Sequence, residues 1–122
     1  MYKCKFVLIL FLISFPFFSY SHEGATGIVK ERMDKFKESK NLMRTINKSL
    51  SENNFDVITQ SAKKLNKWAN EMHEYFPKGS EASSSNKSEA SDNIWSDPEG
   101  FKQAIKKFEI SSAKLIKISQ NK

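Results

Sequence analysis

The chain has one cysteine, Cys4, in 122 residues. Without a second thiol there is no disulfide framework, no Cys-based metal site and no thiol pair. Only two histidines occur, His22 and His73, too far apart in sequence for a local metal motif. The four glycines form no phosphate-cradling loop. No nucleophile elbow and no Cys–His pairing is present. Strict apolar/polar alternation never persists as a strand requires. These absences remove the usual catalytic constellations, and the chain reads as a binding or carrier protein rather than an enzyme.

The N-terminus carries a basic pair, Lys3 and Lys5, ahead of the apolar run FVLILFLISFPFF at 6–18. That run is short for a spanning helix, and Ser19 and Ser21 have the small-residue spacing of a cleavage site. Residues 1–21 are therefore expected to be a signal peptide, with the mature domain at 22–122. An uncleaved anchor is the alternative, because Pro16, Phe17 and Phe18 blur the cleavage region. The chain holds 20 Lys and Arg against 14 Asp and Glu. With Lys3 and Lys5 set aside, the surplus of four is spread over three segments, a mildly basic soluble surface. The gathered positive patch with interleaved aromatics that nucleic acid requires is missing.

Three apolar stripes of helical period follow. Val29, Met33, Phe36, Met43, Ile46 and Leu50 mark a helix at 25–50. Ile58, Ala62, Leu65, Ala69, Met72 and Phe76 mark a second at 54–76, with Asn54 as its cap and Pro77 and Gly79 as its end. Asp97 and Pro98 open a third at 97–119, with Phe101, Ile105, Phe108, Ser112, Leu115 and Ser119 on its inner side. Between them KGSEASSSNKSEASDN, 78–93, is serine-rich and apolar-poor and reads as a mobile, solvated connector. The expected fold is all-α, an antiparallel up-and-down bundle.

Among candidate site residues, His22 would stand exposed at the mature N-terminus, and His73 reads as a surface residue near a helix end. Met33, Met43 and Met72 read as core filler, Trp68 and Trp95 as packing residues. Trp95, just ahead of the third helix, is expected to fold back as an anchor. Wide stripes on all three helices suggest a groove that something further fills.

GIVKERMDKFKESKNLM (27–43), FPKGS (76–80) and above all IWSDPEGFKQAIKKF (94–108) resemble the corresponding parts of class II cytochromes c, the cytochrome c-prime family. The resemblance implies a periplasmic four-helix bundle holding one haem c, for electron transfer or for binding small gases such as nitric oxide. It places Arg32 near a haem propionate and Phe36 on the open side of the iron, where six-coordinate members carry a methionine and five-coordinate members an apolar residue. Met33 is read as an off-register neighbour and not as a ligand. The family's Cys-x-x-Cys-His attachment motif is absent, and only three of the four helices are found, so no metal ligand is assigned. The resemblance then implies a truncated chain whose haem-bearing helix is encoded beyond Lys122 or lost. The alternative is a haem-free periplasmic binding protein that uses the open apolar groove. A homodimer and an unidentified redox protein are the expected partners, with no membrane association after signal cleavage.

Overall fold

A computed structural model of the chain describes residues 26–83 and 86–122. Cys4, His22 and the signal segment 1–21 lie outside the described residues. Helix α1 is Gly27–Ser51 and α2 is Phe55–Glu71, continued by a 3₁₀ turn at Met72–Tyr75. A single helical turn, α3, spans Asn93–Ser96, and α4 runs Pro98–Gln120. No strand occurs among the described residues.

The helix starts follow from their caps. Asn54 Oδ1 accepts the Val57 N–H at 3.3 Å and so opens α2. Asp97 closes α3 and opens α4, its Oδ1 accepting the Gly100 N–H at 3.1 Å, while Pro98 occupies the first helical position. A methyl group at Gly100 would run into the capping carboxylate of Asp97. Asp97→Ala should therefore lower the melting midpoint by the equivalent of about 1 kcal/mol, read by thermal circular dichroism; an unchanged midpoint would mean the cap is dispensable.

The second helix is less regular than its stripe predicts. Its last turn tightens to 3₁₀ at Met72–Tyr75 because the residue before Pro77 is driven out of the helical region, and Phe76 sits at φ −125°, ψ 52°. Trp95, just ahead of the third helix, sits in the α3 turn, half-buried.

Helix α2 is the middle of the bundle, packed by α1 on one side and α4 on the other, while the backbones of α1 and α4 stay apart. Its inner face of Ile58, Ala62, Leu65, Trp68 and Ala69 is buried. The α2–α4 seam is drawn close by small polar residues. The Thr59 hydroxyl donates to Ser119 Oγ at 2.7 Å, and Asn66 Nδ2 donates to Glu109 O and Ser112 Oγ, each at 3.0 Å. Ser112 and Ser119 also bond the carbonyls of their own helix, so these buried hydroxyls are satisfied.

Of the α1 stripe expected as core, Val29 is buried and Met33 and Ile46 are half-buried, while the other three residues are exposed. Phe36, Met43 and Leu50 are 47%, 55% and 58% exposed. Helix α2 takes the neighbouring side of α1, where Leu42 and Ile46 are half-buried and Ser49 is buried. Phe36, Met43 and Leu50 are left partly open because α4 packs on α2 and not along α1.

Candidate functional site

At one end of the bundle the first three turns of α1, the residue that ends the 3₁₀ turn, the α3 turn and the start of α4 surround a cavity of about 520 Å³. Its walls are Val29, Met33, Phe36, Phe76, Ile94 and Phe101, with Arg32, Glu89 and Ala90 completing the lining. Phe76 is the hub of the aromatic wall. Its ring lies 6.4 Å from Phe36 and 4.9 Å edge-on from Phe101, and Trp95 stands 6.3 Å away. Phe36 is braced from behind by Trp68 at 5.6 Å, in an edge-to-face pair of the kind aromatic quadrupoles favour.

The two residues singled out from the sequence, Arg32 and Phe36, are thus brought to one cavity, four positions apart on one side of α1. Met33 lines the same space, so it is not off its face. His73 is not there: its side chain is largely exposed, 4.0 Å from Glu74. Among the described residues no group of His, Cys, Asp and Glu could hold a metal ion.

Arg32 is only 3% exposed. Nη1 donates to Tyr75 O at 3.1 Å and Ser80 Oγ at 2.7 Å, and Nη2 donates to Ser80 O and Ser88 Oγ, each at 2.5 Å. The guanidinium also stacks over Phe76, its carbon 4.7 Å from the ring centroid. Burial pulls its pKa below the usual value, and the charge of Glu81 pushes the other way. The charge persists, because a guanidinium does not deprotonate in proteins.

Most of the described residues of the serine-rich segment are exposed, and two of its serines are the exception. Ser80 and Ser88 are buried, and Ser88 Oγ also donates to Ser80 O at 3.2 Å. A buried cation forces this arrangement, since four terminal N–H groups removed from water need four acceptors. Composition could not single out Ser80 and Ser88 among so many serines. The available signal was Arg32 itself, an arginine on the apolar side of α1.

Both indole N–H groups, of Trp68 and Trp95, are buried without an acceptor. Their placement is set by ring packing, against Phe36 and Tyr75 for Trp68 and against Phe76 for Trp95.

The cytochrome C' family description matches residues 27–122, the span that contains every element above. The chain belongs to the cytochrome C' family. No curated protein and no solved structure matches the chain in the corresponding comparisons. Cytochrome C' proteins are haem-binding, electron-transfer-type bundles, typically periplasmic and normally carrying haem c, and the helical architecture fits that family.

The cavity's own chemistry divides when tested against that group. Its apolar, aromatic walls fit a flat ring. Its donor set among the described residues does not fit a covalently attached haem c, since none of them brings a thiol or an imidazole to the lining and their one sulfur there is the Met33 thioether. The one cysteine of the chain, Cys4, lies outside the described residues.

Proposed function

We propose that this protein is an exported, periplasmic bundle of the cytochrome C' type that works by binding at the Arg32–Phe36 cavity and performs no catalysis of its own. The supporting observation is the cavity of about 520 Å³ with three phenylalanine rings in its walls, a volume and lining suited to a planar apolar guest. In the family that guest is haem, which when bound supplies a redox-active iron for electron transfer or for a small gas. A phenyl ring has no lone pair to offer a metal, so Phe36 on the wall matches family members with an open iron position. Arg32 contributes by holding Ser80 and Ser88 through its guanidinium while its charge stays close to the guest. Covalent attachment would need two thiols and an imidazole that this cavity does not present.

That shortfall favours a second reading on the same walls, a haem-free protein that receives another apolar ligand. Titrating the purified chain with haemin and, separately, with an apolar fluorescent dye distinguishes the two. The haem reading predicts a saturable 1:1 Soret change that Ile94→Asp weakens at least about tenfold by placing a charge in the wall. Dye binding with no haemin binding would discard haem and keep the haem-free reading. Failure of both titrations would discard the cavity as a binding site.

A further inference from the structure

Of the nine residues lining the cavity, only Arg32 and Glu89 carry polar side chains. A charged group on a guest must therefore meet one of these two or lie desolvated against apolar walls. The family resemblance implies a carboxylate, the haem propionate, as the partner of Arg32. The structure gives the guanidinium other partners. Nη1 is bonded to Tyr75 O and Ser80 Oγ, and Nη2 to Ser80 O and Ser88 Oγ. A carboxylate grips a guanidinium through two parallel N–H bonds. With both terminal nitrogens engaged, at most Nε–H is left, one donor where that grip uses two. The rings of Phe76 and Trp95, 4.7 Å and 6.0 Å from the guanidinium carbon, crowd it further.

Charge does not draw an anion in either. The Glu81 carboxylate already acts on the charge of Arg32. Glu89 adds a second carboxylate, in the lining itself and exposed to solvent. An incoming carboxylate would meet one cation that is already bonded and two anions of its own sign.

We propose that the cavity selects neutral, flat, apolar guests and turns away those that carry a carboxylate, Arg32 being closed to the guest as a brace for Ser80 and Ser88 and Glu89 repelling acids at the wall. This selectivity rests on the cavity as the binding site proposed above.

Two matched pairs of flat probes test it: haemin with its dimethyl ester, and pyrene carboxylate with its methyl ester. Each is titrated into the full chain at neutral pH and read by absorbance or fluorescence. In whichever pair binds, the ester should bind at least about tenfold more tightly than the acid, because only the acid must desolvate a charge that finds no partner. Esters also leave water more readily in general, so a variant separates the wall's own contribution. Glu89→Gln should shrink the preference about threefold by removing the repelling carboxylate. Its side chain is exposed, so circular dichroism should show the variant folded. An acid that binds as tightly as its ester, or a preference that Glu89→Gln leaves unchanged, would overturn the selectivity while keeping the cavity as the site. Absence of binding by all four probes would discard the cavity, and the selectivity with it.

Discussion

Arg32→Leu is expected to destabilise the bundle by about 3 kcal/mol and to release Ser80 and Ser88 from their inward hydrogen bonds. Leucine fills part of the space but donates nothing, so Tyr75 O loses its donor and the two serines lose the charge-assisted bonds that hold them inward. Relief of the buried charge offsets part of the loss, which keeps the figure below the sum of four such bonds. For a domain of this size the change corresponds to a fall of roughly 15 °C in melting midpoint. Arg32→Lys should fall between, because an ammonium cannot fork to Tyr75, Ser80 and Ser88 together. Limited proteolysis adds a local readout: cleavage after Glu81 should accelerate in the leucine variant before the helices are cut. Wild-type melting with wild-type proteolysis would show that the guanidinium is not what holds the segment.

Trp68→Ala should cost about 4 kcal/mol, the other large effect. The side chain is 4% exposed, and its ring is the shared edge-to-face partner of Phe36 at 5.6 Å and Tyr75 at 5.0 Å. Truncation removes that area and leaves a void between α1 and α2 that surrounding groups cannot all collapse into. Trp68→Phe should cost far less, because it keeps a ring and removes an indole N–H that is buried without an acceptor. Urea unfolding of both variants supplies the comparison. Equal destabilisation by the two substitutions would mean that the full volume of the indole, not an aromatic ring as such, is what position 68 requires. The alanine variant should also weaken the cavity's guest, since Phe36 loses its brace.

Neither effect could be ranked from the sequence. Trp68 reads there as one packing residue among several, and Arg32 is identified only by its likeness to a family position. The ranking depends on what each side chain touches, and those contacts join residues 32 to 80 and 88, or 68 to 36 and 75, across helix boundaries.

What the linear pattern determined is local. Asn54, Asp97 and Pro98 carry their capping chemistry within three residues, so the starts of α2 and α4 are legible from spacing alone. The buried face of α2 follows from the 3.6-residue period, and membership of the cytochrome C' family rests on motifs that lie in order along the chain. Tertiary structure decided which of two apolar sides of α1 is covered. Period alone marks Phe36, Met43 and Leu50 as inward, yet α4 chooses α2, where Ser112 and Ser119 let the backbones approach and bond, and those three residues stay about half exposed. It also decided the fate of the serine-rich segment. A composition that buries almost no apolar surface cannot order itself, and here a buried guanidinium supplies the enthalpy that its side chains lack, converting Ser80 and Ser88 from spacer residues into part of the site.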